Sequence, residues 1–241
     1  MNVIKKLCAC ILFALPFSPA FGNVALTNSR LVVTEQQSST SIGVNNTGET
    51  PLLIQSWVSG DDKSVKAPFM VTPPLFRLES KQENTLRILQ LPNQLPRDQE
   101  SLFWLNVKEI PPLDKSLVGK NVLRIAINNR IKLFYRPRDL PSSVEAAAQS
   151  LTWQLNTQGA GKWRLLAHNP SPYYITFASI KFNGQNLDIS GMLMPHGELS
   201  FTLKTAPAKG AQVEYSTIND YGGNSALISQ LPEQTKAKES E

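Results

Sequence analysis

Cysteine is nearly absent from this chain. Of 241 residues only Cys8 and Cys10 carry a thiol, and both lie at the extreme N-terminus. Everything downstream is without a disulfide, a cysteine-ligated metal or a thiol nucleophile. Histidine is as scarce: His168 and His196 stand far apart, with neither an H-x-x-x-H nor an H-E-x-x-H spacing, so no zinc site is indicated. No G-x-S-x-G occurs. "GAGKW" (159–163) lacks the upstream glycine and the Ser/Thr of a phosphate loop, and reads as a hairpin turn. Asp98 and Glu100 share one loop with Arg97, which reads as ion pairing rather than acid–base chemistry. With no catalytic constellation, the chain is expected to be no enzyme and to need no cofactor, metal or small-molecule substrate.

Charge of one sign is also lacking. The formal net charge is +5, and +3 without Lys5 and Lys6. With no Lys/Arg block, that balance argues against nucleic acid as a partner. Long hydrophobic runs are missing too. The longest, "LCACILFALPF", is too short to span a bilayer. Lys5 and Lys6 precede it and Ala20-Phe21-Gly22 follows, so residues 1–22 read as a signal peptide cut before Asn23. A membrane anchor or a buried N-terminal strand is the alternative; the length of the run and Pro16 count against it. A signal, no lipid-anchor cysteine at the cut and no second span together indicate the periplasm. A mature chain without disulfides must hold itself together by core burial.

What the chain does contain is strands. Short runs rich in Val, Ile, Leu, Phe and Trp alternate with turn clusters: "VALTNSRLVVT", "TSIGVNN", "LLIQSWV", "FMVTPPLFRL" around Pro73-Pro74, "NTLRILQL" and "SLFWLNVKEI". No amphipathic helix interrupts them, which is the pattern of an antiparallel sandwich. "RPRDLPSS" (136–143) reads as a linker and "SVEAAAQSL" as one short helical turn. A second set of strands follows: "LTWQL", "KWRLLAHN", "YYITFASIKF", "QNLDI", "ELSFTLK" and "AQVEYSTIND". Asn183-Gly184 is the best hairpin turn of the chain. The tail "PEQTKAKESE" is polar and expected to fray. The expected organisation is a signal peptide (1–22), an N-terminal domain (23–140) and a C-terminal domain (144–241).

The stretch "NVLRIAINNRIKLFYRP" (121–137) alternates with period 2, predicting one strand longer than the usual five or six residues. Leu123, Ile125, Ile127, Ile131, Leu133 and Tyr135 fall on one side. Arg124, Arg130, Lys132 and Arg136 fall on the other. The cations read either as solvated strand residues or as a socket for an anion. The apolar side reads as sandwich core at Ile131, Leu133 and Tyr135. Leu123, Ile125 and Ile127 lie next to a loop, where an edge strand could leave them exposed; such an edge aggregates unless a partner uses it.

"NVALTNSRLVV", "FMVTPPLFRL", "NTLRILQLPNQLPRDQESLFWLNVKEIPP", "NNRIKLFYRP", "NPSPYYITFASI" and "TINDYGG" resemble, in order, the PapD-like family of periplasmic pilus chaperones of the chaperone–usher pathway, the type 1 fimbrial chaperone especially. The resemblance implies an all-β fold: two immunoglobulin-like sandwiches set at an angle, with a cleft between them. It implies partners as well, fimbrial subunits and an outer-membrane usher. Arg30 and Lys132 match the cleft cations that hold a subunit's C-terminal carboxylate. Leu123, Ile125 and Ile127 match the apolar residues donated to the groove of an incomplete subunit sandwich. Asn129 is polar on that side, so insertion is expected to stop at Ile127. Glu100, Arg136 and Asp220 match an ion network that ties the domains together. Pro73, Pro74 and Arg87 resemble the surface that docks on the usher. The short loop "PPLDKSLVGKN" resembles the subgroup assembling thick rod-like fimbriae. Two other readings compete. A fimbrial subunit or adhesin domain usually carries a disulfide and an alternating N-terminal extension, neither of which is present. A hydrolase on a β-sandwich lacks its constellation here.

Overall fold

The computed structural model of the chain describes residues 23–61, 66–112, 121, 123, 125–157, 163–203, 205–208, 210–230 and 232–235. The signal-peptide reading of residues 1–22, Arg124 and most of "GAGKW" therefore lie outside the described residues.

The N-terminal domain is a sandwich of strands β1 (Val24–Leu26), β2 (Arg30–Thr34), β3 (Ser39–Asn46), β4 (Leu52–Gly60), β5 (Phe69–Thr72), β6 (Leu75–Leu78), β7 (Glu83–Gln90), β8 (Ser101–Ile110) and β9 (Asn128–Arg136). One sheet runs β1-β3-β7-β5 and the other β2-β9-β8-β4-β6. Their inner faces follow the alternation of the sequence: Ile42, Val44, Leu86 and Ile88 pack against Leu31, Val33, Ile54, Leu105 and Leu133. Phe69 and Phe103 cross the sandwich edge to face, centroids 5.1 Å apart.

One strand departs from expectation. "VALTNSRLVVT" is not one strand. The chain leaves β1, paired with β3 in one sheet, and crosses at Thr27-Asn28-Ser29 to β2, which pairs in parallel with β9 in the other. Thr27 secures the crossing: its N–H donates to the Gly43 carbonyl (3.1 Å), and its Oγ1 accepts from the Gly43 N–H (3.0 Å). "FMVTPPLFRL" switches sheets in the same way, as its two extended pieces imply; the Thr72–Pro73 peptide at the crossing is cis.

The linker ends at Ser143, whose Oγ caps helix α1 (Val144–Gln149) by accepting from the Ala146 N–H. The second sandwich contains β10 (Thr152–Thr157), β11 (Trp163–His168), β12 (Phe177–Phe182), β13 (Gln185–Asn186), β14 (Glu198–Leu203), β15 (Val213–Thr217), β16 (Ile228–Gln230) and β17 (Glu233–Thr235). Its sheets run β14-β11-β10-β17 and β13-β12-β15-β16. Buried Trp153 and Tyr215 meet at 5.3 Å in its centre, and the Tyr215 hydroxyl donates to the Ala148 carbonyl (2.8 Å). The β12–β13 turn is the expected hairpin, with Asn183 and Gly184 both at positive φ (51° and 74°). The first residues of the tail depart from its expectation of fraying, and 236–241 lie outside the described residues. Glu233–Thr235 pairs in parallel with Gln154–Asn156, because β10 would otherwise leave its backbone groups open on that side.

Candidate functional site

The site forms where the cleft-facing side of the β2-β9-β8 sheet meets the second domain. Arg30 and Lys132 are register partners in the β2–β9 pair, so both side chains leave the same face of the sheet. Arg30 is 7% exposed. Its Nη1 donates to the Ile218 carbonyl of the second domain (3.0 Å), and its guanidinium lies 5.6 Å from the centroid of Phe134. Arg30 Nε is buried and has no hydrogen-bond partner among the described residues. Lys132 Nζ donates to Thr176 Oγ1 (3.2 Å), again across the cleft.

Among the described residues no carboxylate forms an ion pair with either cation. Desolvation holds the Lys132 ammonium below the usual lysine range, and the charge of Arg30 adds to it. Burial likewise lowers Arg30, against the opposing pull of Asp220 and Glu100. Between two desolvated like charges side by side, an anion would accept charge-assisted hydrogen bonds from both.

The floor of the cleft is an ion network. Glu100, 2% exposed, accepts from Arg136 Nε (2.7 Å) and from the Tyr174 N–H (2.9 Å). Arg136 forks onto Asp220 through Nη1 (2.6 Å) and Nη2 (2.9 Å). Burial opposes the charge of Arg136. Its hydrogen bonds to Asp220 and the charges of Glu100 and Asp220 outweigh burial, and its pKa rises. Burial raises the Glu100 carboxyl, while Arg136 and the Tyr174 N–H pull it back toward ionisation.

Asp220 is aimed by its loop: Asn219 Oδ1 accepts from the N–H groups of Tyr221 (3.1 Å) and Gly223 (2.9 Å). Gly222 has φ +85°, and a Cβ there would collide with the Ser29 side chain of the first domain. The three residues matched in sequence to an ion network thus meet in space. Arg97 and Asp98, read with Glu100 as an ion-pairing loop, form no ion pair among the described residues. Glu100 instead pairs with Arg136 at the end of the neighbouring strand β9 of the same sheet.

Strand β9 differs from the single long strand expected over 121–137. It begins at Asn128, and the described residues among 121–127 are not in strand conformation. The cause is a loss of neighbours. Tyr135 through Asn128 pair with β8, and β2 covers the other side only from Lys132 onward. The ladder's last contact is the Glu109 N–H donating to the Ile127 carbonyl (2.9 Å). Leu133 and Tyr135 are core. Leu123, Ile125 and Ile127 are 87%, 66% and 43% exposed. Phe134, on the opposite side, is also buried, stacked at 5.9 Å against Tyr174 of the second domain. One side of β9 is therefore core and the other is interdomain contact.

Pro73 and Pro74 directly follow β5, and Arg87 sits on β7, the strand that pairs with β5. Thr72 and Arg87 are register partners in the β5–β7 pair. The Pro73 and Pro74 carbonyls accept from Ser56 Oγ (3.1 Å) and N–H (2.8 Å), and Arg87 Nε donates to Ser39 Oγ (3.0 Å). The sequence reading missed Thr176, Tyr174, Asn219 and the Ile218 carbonyl. Their only signal was membership of "NPSPYYITFASI" and "TIND", since a backbone group or a threonine hydroxyl has no motif of its own.

Two immunoglobulin-like sandwiches thus meet at a cationic cleft, and an exposed apolar segment leads into the strand that carries Lys132. Residues 23–141 match the pili and flagellar-assembly chaperone, PapD N-terminal domain, and residues 146–229 the pili assembly chaperone PapD, C-terminal domain. The chain belongs to this family of pilus-assembly chaperones. Chaperone protein FimC of Escherichia coli K12 is 42% identical over 205 residues, covering 84% of this chain and 82% of that one. Chaperone protein LpfB of Salmonella typhimurium is 36% identical over 225 residues, covering 92% and 95%. Among solved structures, the YadV chaperone superposes with a TM-score of 0.75 at 31% identity, covering 87% and 100%. The Salmonella enterica SafA pilin in complex with the SafB chaperone gives 0.76 at 29%, covering 89% and 98%.

Proposed function

We propose that this chain is a non-catalytic periplasmic chaperone that holds one fimbrial subunit by two grips and delivers it to an outer-membrane usher. Arg30 and Lys132 take the subunit's terminal carboxylate. Leu123, Ile125 and Ile127 are laid in the groove of its incomplete sandwich as the missing strand. The signal peptide ends at residue 22, domain 1 spans 23–140 and domain 2 spans 144–241. Glu100, Arg136 and Asp220 hold the two domains in one relation, so the two grips keep their spacing. Pro73, Pro74 and Arg87 form the face offered to the usher.

The exposure of Leu123, Ile125 and Ile127 carries this reading. Three aliphatic side chains at alternate positions, open to water and leading directly into a core strand, suit addition to another protein's sheet. Burying each fully is worth about 1.5–3 kcal/mol before association costs. A one-residue slip would present Arg124 and Ala126 instead, and the anchored carboxylate would prevent that slip. The family match argues against the alternative of a fimbrial subunit or adhesin domain.

The double change Ile125→Ser with Ile127→Ser tests the reading in periplasm that also contains candidate pilins. The protein should remain folded and soluble, and co-purified subunit should fall sharply. An unfolded protein, or undiminished subunit capture, would place these residues in the chain's own core.

A further inference from the structure

Arg130 lies in the β9 row next to the Arg30–Lys132 anchor and on the same face of the sheet. Residues Arg130 and Lys132 are two apart on one strand, and their β8 partners are Asn106 and Trp104. The Arg130 guanidinium carbon lies over the Trp104 ring, 4.1 Å from its centroid. Trp104 is itself held, its Nε1–H donating to Asp61 Oδ1 (2.9 Å). The cation is thus oriented, yet among the described residues it has no carboxylate within ion-pair distance. A guanidinium stacked on an indole keeps its edge N–H donors free for a planar anion. The strand edge beside it is open, because β2 pairs with β9 only from Lys132 onward.

A subunit strand whose carboxyl end sits at Arg30 and Lys132 would run along that open edge, parallel to β9. In a paired ladder, residues at one level share a face and advance about 3.3 Å per residue. We propose that Arg130, stacked on Trp104, reads the subunit side chain about two residues before the terminus on the cleft-facing side, and that it selects a glutamate there. The partner is thus a β-strand ending in a free carboxylate with a second carboxylate one same-face step inside it. This inference rests on the anchor reading proposed above.

The test uses short synthetic strand peptides, alternating valine and threonine with a free carboxyl end. They carry Glu, Gln or Lys at the third position from the end, each with an amidated twin. Binding to the intact protein at low salt should rank Glu above Gln above Lys, with steps of about two- to fivefold that shrink at high salt. Arg130→Gln should flatten that ranking, while amidation still weakens binding to the variant. A flat ranking on the unaltered protein, failure of the Glu peptide to bind, or a ranking that survives in Arg130→Gln overturns the role of Arg130. Indifference to amidation in both proteins instead overturns the anchor, whatever the ranking shows.

Discussion

Arg30 and Lys132 stand opposite each other as register partners of the parallel β2–β9 pair, two cations on one face with Ile218 and Thr176 of the second domain as their hydrogen-bond acceptors. Neutral acceptors satisfy donors without cancelling charge. Their mutual repulsion is therefore a cost in the free protein, and an incoming anion would relieve it.

Lys132→Met should stabilise the free protein while abolishing its carboxylate grip. Desolvation and the charge of Arg30 lower the Lys132 pKa below 10.5. The unfolded chain then binds this proton more tightly than the folded one. That destabilising contribution is fully present below the folded pKa and is relieved as pH rises from there to 10.5. Relative to the parent, Lys132→Met should melt higher at neutral pH, and the difference should shrink on the alkaline side. A lower melting temperature at neutral pH would show that Lys132 stabilises the fold and is not held in reserve.

Arg136→Ala should cost about 3–5 kcal/mol, because it strands the buried Glu100 carboxylate. Asp220→Ala should cost less, since Asp220 is more exposed and Arg136 keeps Glu100. Chemical denaturation of both variants checks the order. Equal and small losses would mean that the three groups are not energetically linked.

Along one segment and one parity, Leu133→Ala and Ile125→Ala should part company. Leu133 is fully buried, so its truncation should destabilise by about 2–5 kcal/mol. Ile125 is 66% exposed, and its truncation should leave the denaturation midpoint unchanged and reduce subunit capture. Matching midpoint shifts would overturn the division of this segment into core and donated halves.

Gly222→Ala should weaken the interdomain contact. The added methyl group meets Ser29 across the cleft, and its backbone sits at a positive φ. A lowered melting temperature that Ser29→Gly partly rescues is the expected result; no rescue would place the strain within the loop alone.

Truncation before Pro232 should expose the outer side of β10. The amides of Gln154–Asn156 should then lose hydrogen-exchange protection, with little change in subunit capture. Unchanged protection would show that the β17 pairing contributes nothing in solution.

By itself the sequence determined the class of fold, the Asn183-Gly184 hairpin, the short helical turn and the apolar parity of 123–135, because each depends on the chemistry of neighbouring residues. The cations and carboxylates of the site were legible only as matches to a family, since Arg30 and Lys132, or Glu100 and Asp220, are distant along the chain. Tertiary structure decided the rest. It split 24–34 and 69–78 between two sheets, a choice that depends on which strand offers free backbone groups. It ended β9 at Asn128, where β8 and β2 no longer supply partners. It buried Phe134 on the cationic side of that alternation, because a second domain covers that side. It also drew Glu233–Thr235 of the polar tail onto β10's edge. A period of two says which side chains share a face; only the packed neighbours decide whether that face meets a core, a second domain, or the groove of another protein.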